Sequence, residues 1–317
     1  MRFLKSDTHV DFLGKRKTAM LVSAVLVAVS IISLAVKGPN YGIDFKGGTL
    51  IQLRFTEQAP IGEVREVIGS LKFGDYSIQE YGTASDLLVR VPIEEESKGG
   101  QTRAQVVEQA LRGKFAGKFT VERVEMVGPK VGSDLRWKAV MAVLYSLVGI
   151  LIYLALRFEF RFAAGAVLAT IHDPLVIMGA LSLLGKEFTL TVLAAVLTII
   201  GYSLNDTIVV FDRIRENMRI KRGMPTIDLL NLSVNQTLSR TILTSGTTMI
   251  VVIALFLFGG DVIHDFAFAL LVGIVVGTYS SIYVASPIIY YWDEWAKKKA
   301  YAPSVEKAKK EKTGKKA

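Results

Sequence analysis

The chain has 317 residues, of which 51% are hydrophobic and 21% are charged, and it contains no cysteine. The lack of cysteine excludes disulfides, thiolate metal sites, iron–sulfur clusters and a cysteine nucleophile. The three histidines form no HExxH pair, and the sequence has no GxxxxGK[ST] loop, which disfavours a zinc protease and an ATPase. The sequence therefore predicts neither a cofactor nor a metal site.

The apolar residues are concentrated in six runs, each close to the ~20 residues that a helix needs to cross a bilayer. The runs are Thr18–Val36, Ala139–Leu156, Phe162–Gly185, Phe188–Phe211, Thr241–Gly260 and Phe266–Trp292. Four of them contain no charged residue, and the other two contain one Asp each. The sequence predicts a polytopic α-helical membrane protein with six transmembrane helices in a 1+5 arrangement.

The basic residues predict the orientation of these spans. If the six runs alternate in direction, 22 Lys and Arg residues lie on one side, whereas the short connections on the other side carry only Lys186. Short loops rich in Lys and Arg stay in the cytoplasm. We therefore expect a cytoplasmic segment 1–17, a first span 18–36, an external domain 37–136, a five-helix bundle 137–292 and a Lys-rich cytoplasmic tail 293–317. The tail is either a solvated end or a segment attracted to anionic lipid.

The external segment has 14 basic and 14 acidic residues, so it gives no indication of nucleic-acid binding. Its hydrophobic periodicity predicts two helices and four strands in the order βαββαβ, which is typical of a ferredoxin-like α+β sandwich. The strands are Thr49–Phe55, Tyr76–Tyr81, Leu87–Val91 and Thr120–Val127, and the helices are Ile61–Leu71 and Arg103–Phe115. No histidine lies in this domain, and we expect a binding or lever module rather than a catalytic one.

Two glycine-rich segments flank the external domain. The first contains Gly42, Asp44, Gly47 and Gly48, and the second contains Gly128-Pro129. Such residues either form tight turns where the chain leaves the membrane surface or act as hinges that let the domain move.

Asp206 is one of two carboxylates inside the apolar runs. An ionisable residue at the centre of a spanning helix usually faces the bundle interior and has a partner. Arg240, at the start of the fifth run, is the expected partner, and Ser203, Asn205 and Thr207 surround Asp206 in sequence. Thr244 and Thr248 follow Arg240 and could line a hydrated path. The alternative is a salt bridge at the cytoplasmic rim that only anchors the helices.

Asp173 is the second of these carboxylates and lies between His172 and Pro174, whose ring leaves one backbone carbonyl of the span without a partner. Asp173 is either a second protonatable site or a buried structural group. The sixth run carries Gly273, Gly277, Ser281 and Ala285 at a spacing of four. This stripe of small residues predicts close helix packing, within the chain or against another subunit.

Several motifs together resemble the SecD/SecF family of the resistance–nodulation–division superfamily. They are Gly42–Thr49, Val127–Pro129 with Val131-Gly132, Arg157–Arg161, His172-Asp173, Gly201–Thr207, Phe211–Asn217, Gln236-Thr237, Arg240–Thr248 and Ser280–Ala285. They extend from about residue 41 to residue 290, so the resemblance covers nearly the whole chain except its two tails.

This resemblance implies a non-enzymatic subunit of the bacterial cytoplasmic (inner) membrane. It implies that the chain pairs with SecD, assists the SecYEG channel together with YajC, and uses protons to promote the late translocation of a preprotein across the lipid bilayer. The intramembrane Asp and Arg of the family correspond to Asp206 and Arg240. The alternatives are a proton-driven exporter of drugs or lipids, an intramembrane aspartyl protease using Asp173 and Asp206, and a passive scaffold for the translocon.

Overall fold

The computed structural model describes residues 9–74, 76–92 and 101–299. The expectations for residues 1–8 and for 300–317 of the Lys-rich tail therefore lie outside the described residues. Within the described part of the chain, six helices are long and apolar enough to cross a membrane. They are α1 (Arg16–Val36), α5 (Pro129–Arg157), α6 (Phe160–Leu183), α7 (Leu190–Ile220), α8 (Thr226–Phe258) and α9 (Asp261–Ser280). The prediction of a polytopic α-helical membrane protein with six transmembrane helices is confirmed.

Helix α9 continues beyond its α-helical part. A π-helical turn, Ser281–Ala285, follows it directly, and helical backbone resumes through to Lys299. Inserted π turns are rare and are often found at functional sites.

The domain between α1 and α5 is a small α+β sandwich. Its strands are β2 (Gly48–Phe55), β3 (Ser77–Tyr81), β4 (Thr83–Val91) and β5 (Phe119–Val127), and its helices are α3 (Ile61–Ser70) and α4 (Arg103–Phe115). The sheet is antiparallel with the order β3-β4-β2-β5, which is the ferredoxin-like arrangement that the βαββαβ pattern predicts. Alternate residues of β2 (Ile51, Leu53 and Phe55) are buried against the two helices because side chains alternate between the faces of a strand.

Strand β4 begins four residues before the predicted Leu87. The residues Thr83–Asp86 have little apolar character, so their periodicity gave no strand signal. They pair because Gly82, at φ +71°, turns the chain tightly between β3 and β4. Helix α3 ends at Ser70, one residue before its predicted end.

The two glycine-rich segments meet at one place. A short helix α2 (Ile43–Lys46) leads into Gly47, whose φ of +73° is unfavourable for residues with a side chain. A Cβ atom on Gly47 would lie 3.1 Å from Pro129 Cα at the start of α5, and one on Gly132 would lie 3.0 Å from the Gly47 nitrogen. The chain therefore enters and leaves the sandwich through a single tightly packed joint.

The centre of the bundle is formed by α6, α7 and α9, whose most apolar windows are 50–56% buried. The small-residue stripe of α9 is filled within the chain, because a Cβ on Gly273 or Gly277 would collide with Ile199 or Ser203 of α7. Helix α1 packs on α6 through Ser33 and its hydrogen bond with Ser182. By contrast, the most apolar windows of α1, α5 and α8 are only 11–17% buried in this chain.

Candidate functional site

Asp206 lies on α7 inside the bundle, and only 8% of its surface is exposed. The Thr241 hydroxyl on α8 donates a hydrogen bond of 2.6 Å to Asp206 Oδ1. The Ser281 hydroxyl, in the first residue of the π turn, donates one of 2.7 Å to Asp206 Oδ2. Three helices therefore meet at this carboxylate.

Arg240 does not contact Asp206 in this structure, although the sequence made it the expected partner. No Lys, Arg or His nitrogen of the described residues lies within 4.0 Å of the Asp206 oxygens. Arg240 and Thr241 are successive on α8, so their side chains point about 100° apart and only one can face α7. Thr241 is buried at that position, and Arg240 is exposed on the outer face of α8.

Asp173 lies on α6 and is fully buried. Its Oδ1 atom is 2.9 Å from His172 Nδ1, and its Oδ2 atom accepts hydrogen bonds from the hydroxyls of Ser203 on α7 and of Ser280 on α9, the latter at 2.9 Å. His172 is also buried, and its Nε2 atom has no hydrogen-bond partner among the described residues. This second carboxylate also joins three helices.

The partners of the two carboxylates lie close together in the sequence. Ser203 and Asp206 are three residues apart on α7, and Ser280 and Ser281 are successive residues where the π turn begins. We call Asp173, Asp206, Ser203, Ser280 and Ser281 the polar layer. The sequence motif Ser280–Ala285 contains both serines, but its spacing gave no indication that each would bind a different carboxylate.

The remaining predicted polar residues have different environments. Asn205 is exposed on the surface of the isolated chain. Thr207 is buried, and its hydroxyl has no hydrogen-bond partner among the described residues. The hydroxyls of Thr244 and Thr248 donate to backbone carbonyls of α8 itself, one turn earlier. These two hydroxyls are already partnered within α8 and do not bond to either carboxylate.

A second polar cluster links the sandwich to the bundle. Asp44 of the glycine-rich segment accepts a hydrogen bond of 2.9 Å from the Leu190 N–H at the start of α7. Arg90 on β4 forms a 2.5 Å ion pair with Glu187, which lies between α6 and α7. Burial raises the pKa of the Glu187 carboxyl above its usual value of 4.5, and the charge of Arg90 partly opposes this. Asp265 of α9 accepts from the Glu187 N–H.

A parallel pair of short strands runs beside this cluster. Strand β1 (Asn40–Tyr41) pairs with β6 (Glu187–Phe188), and the ring of Phe45 stacks on that of Phe188 with a centroid distance of 5.4 Å. The segment that precedes the sandwich is thus fastened to the start of α7. Within residues 9–74, 76–92 and 101–299, no group of three or more His, Asp or Glu side chains could hold a metal ion.

Two models of known protein families match this chain. The C-terminal model of the protein export membrane proteins SecD/SecF matches residues 106–295, and the SecD/SecF GG motif matches residues 32–59. The chain belongs to the SecD/SecF family. It is therefore a multi-pass membrane protein and a subunit in protein export, not an enzyme, and the protease alternative is wrong.

Full-length relatives agree with this assignment. The chain is 50% identical over 303 residues to the protein translocase subunit SecF of Calditerrivibrio nitroreducens, covering 92% of this chain and 96% of the relative. It is 51% identical over 311 residues to SecF of Magnetococcus marinus, covering 96% and 98%.

A solved structure has the same fold. The crystal structure of SecDF from Thermus thermophilus, a translocon-associated membrane protein, superimposes with a TM-score of 0.83 at 39% identity. The match covers 92% of this chain and 40% of the SecDF chain, so this chain spans less than half of that longer protein.

Proposed function

We propose that this chain, paired with SecD in the bacterial cytoplasmic membrane, uses the movement of protons through Asp206 to promote the export of proteins. The observation that carries the proposal is the environment of Asp206. A buried carboxylate with two hydroxyl donors and no cation within 4.0 Å among the described residues is costly to ionise. Its protonation is therefore sensitive to any rearrangement that changes its neighbours.

In this proposal, Arg240 is the partner of Asp206 in a second arrangement of the helices. A rotation of α8 by one residue, about 100°, would replace the hydroxyl of Thr241 with the guanidinium of Arg240 beside Asp206. The carboxylate would be protonated in the first arrangement and ionised in the second, because a nearby cation favours the charged form. Proton binding and helix position are then coupled in both directions.

The energy released by one proton is large enough to shift the equilibrium between these two arrangements. One proton moving down a membrane potential of 100 mV releases ~2.3 kcal/mol. That energy changes a two-state population ratio about 50-fold, because each 1.4 kcal/mol is a factor of ten. The joint at Gly47 and the Asp44 cap on α7 would connect a rearrangement around Asp206 to the sandwich.

The poorly buried helices support the pairing with SecD. Helix α8 exposes most of its apolar length together with the Arg240 guanidinium at the start of its apolar run, and an uncovered cation beside such a run is unfavourable in lipid. The SecDF relative carries additional chain beyond the part that matches here. We infer that SecD covers this face, and that SecYEG, YajC and the preprotein are further partners.

The test is protein translocation into inverted vesicles that contain the full complex, with and without an imposed proton gradient. Asp206→Asn keeps the shape of the side chain and removes the titratable group, so gradient stimulation should disappear while assembly is unchanged. Arg240→Ala should behave alike, and Arg240→Lys should keep part of the response because its charge remains.

The matched control is Asp212→Asn on the same helix. The Asp212 side chain is 43% exposed and pairs with Arg157, so the loss of its charge should leave the stimulation intact. An assembled Asp206→Asn complex with the full response of the wild type would overturn the role of Asp206. A complex whose export never responds to the gradient, in any variant or in wild type, would favour a passive scaffold.

A further inference from the structure

We propose that Asp173 and His172 form a second proton-binding site, coupled to Asp206 through Ser280 and Ser281. This inference rests on the proton-driven function proposed above and extends it. It starts from a buried carboxylate that the Asp206–Arg240 scheme does not use. Asp173 is fully buried, and its only nitrogen partner among the described residues is His172 Nδ1.

A purely structural role does not account for the residue types. Ser203 and Ser280 would tie α6, α7 and α9 equally well to a neutral amide, which has no charge to bury. A buried carboxylate carries a large desolvation cost unless it is paired or protonated. Asp173 and His172 can share one proton at 2.9 Å, which lowers that cost and makes the pair a place where a proton resides.

His172 also provides a route for the proton. When Nδ1–H donates to the Asp173 carboxylate, Nε2 carries a free lone pair, and this atom is buried without a partner among the described residues. A hydrated proton that reaches Nε2 when α6 moves gives an imidazolium and leaves a water molecule. Transfer of the Nδ1 proton to Asp173 Oδ1 then leaves a neutral imidazole and a carboxylic acid. The net change is one proton bound, and the reverse steps release it.

The geometry of α9 couples this pair to Asp206. Ser280 and Ser281 belong to one turn of backbone, and each donates to a different carboxylate. Each hydroxyl has one proton and also lies within hydrogen-bond distance of an α9 carbonyl, that of Gly277 for Ser280 and that of Thr278 for Ser281. The proton can therefore turn from a carboxylate that becomes protonated to the carbonyl, and return later. A change at one carboxylate therefore alters the donor available to the other.

The experiment uses the full chain purified with SecD and reconstituted into proteoliposomes. Infrared difference spectra between low and high pH report the C=O stretch of protonated carboxyl groups, and translocation with and without a gradient reports function. In wild type, we expect the carboxyl signals to include one from Asp173 and one from Asp206. Asp173→Asn should remove one, Asp206→Asn should remove the other, and each should reduce the gradient-dependent stimulation by about tenfold or more.

Thr170→Val is the matched control. Thr170 is buried on α6 three residues before Asp173, and within the part of the chain that the structure describes its hydroxyl bonds only to the Ala166 carbonyl. This variant should keep both infrared signals and the full stimulation. Ser280→Ala is the second variant, because it keeps both carboxylates if Asp173→Asn fails to assemble. It should move the pH midpoint of the Asp206 signal, although Ser280 donates to Asp173 and not to Asp206, and a merely structural tie between helices would not do this.

The outcomes separate this inference from the proposed function. If Asp206→Asn abolishes the gradient response while Asp173→Asn keeps the response and both carboxyl signals, the second site is overturned and the proposed function stands. If wild type shows no gradient response but the Asp173 signal titrates and moves in Ser280→Ala, the proposed function fails and the proton site remains. An unchanged midpoint of the Asp206 signal in Ser280→Ala would overturn the coupling.

Discussion

Asp44 Oδ2 accepts a hydrogen bond of 2.9 Å from the backbone N–H of Leu190, although 146 residues separate the two in sequence. Leu190 is the first residue of α7, so a carboxylate of the short helix α2 caps the helix that carries Asp206. The two carboxylates lie about 24 Å apart along the helix axis at 1.5 Å per residue.

Removing this cap should destabilise the start of α7. We expect Asp44→Ala to lower the free energy of unfolding by about 0.5–2 kcal/mol, because an N–H of α7 loses its acceptor and the helix dipole loses a negative charge. Amide hydrogen exchange should increase at residues 190–193 in the complex. Asp134→Ala, which removes an exposed carboxylate of α5, should change stability by less than about 0.5 kcal/mol. Equal exchange in both variants would contradict the capping role.

The Arg90–Glu187 pair should give stability a pH dependence of known sign. Burial raises the pKa of Glu187, so the folded protein binds more protons than the unfolded chain just above pH 4.5. Stability therefore falls as pH rises through this raised pKa. Thermal unfolding of the complex as a function of pH should show this fall, and Glu187→Gln should remove it. An unchanged pH profile in Glu187→Gln would rule out this assignment.

Removing the cation of this pair should destabilise the protein more than removing the carboxylate. Arg90→Gln leaves a buried carboxylate without its guanidinium, so we expect a loss of about 3–5 kcal/mol near neutral pH. The pKa of Glu187 should rise further in this variant, and the fall in stability should move to higher pH. In the double variant Arg90→Gln/Glu187→Gln, most of the loss should be recovered, and a loss equal to the sum of the two single variants would argue against coupling.

Close contact between α7 and α9 should make Gly277 sensitive to a single methyl group. A Cβ at Gly277 would lie 2.9 Å from Ser203 Cβ, so Gly277→Ala must displace the residue that donates to Asp173. We expect a destabilisation of about 1–3 kcal/mol and weaker gradient stimulation. Gly149→Ala on α5 is the control, since its Cβ meets no atom within 4 Å and alanine favours helix. Equal thermal stability of the two variants would contradict the packing argument.

The predicted orientation can be tested directly because the chain has no cysteine of its own. Ser70→Cys lies on the exposed end of α3 in the sandwich, and Lys221→Cys lies in the connection between α7 and α8. An impermeant thiol reagent added to intact cells lacking the outer-membrane barrier should label only Ser70→Cys. Labelling of Lys221→Cys before the membrane is permeabilised would reverse the assignment from charge.

The sequence was sufficient for the parts of the fold that depend on local pattern. Apolar runs of about 20 residues predict spans wherever they occur, and the periodicity of residues 49–127 predicts the βαββαβ sandwich. The burial of Asp173 and Asp206 was predictable for the same reason, because charges within such runs are placed in the bundle interior.

The choice of partners was not predictable. Arg240 is attractive to Asp206 by charge, but the rotation of α8 decides that its neighbour Thr241 faces α7, and that rotation depends on packing along the whole helix. The contact between Asp44 and Leu190 depends on where two distant segments meet. The division of Ser280 and Ser281 between two carboxylates depends on how α9 is rotated against α6 and α7, which again depends on packing along the whole helix.

The single joint at Gly47 and Pro129 has a consequence for how the architecture can vary. Because the chain enters and leaves the sandwich at neighbouring points, the sandwich behaves as a cassette inserted into a continuous membrane protein. A larger or different cassette with similarly close ends could replace it without moving any helix of the bundle. Length differences among related chains should therefore accumulate in the cassette, while the spacing between α6 and α9 stays constant.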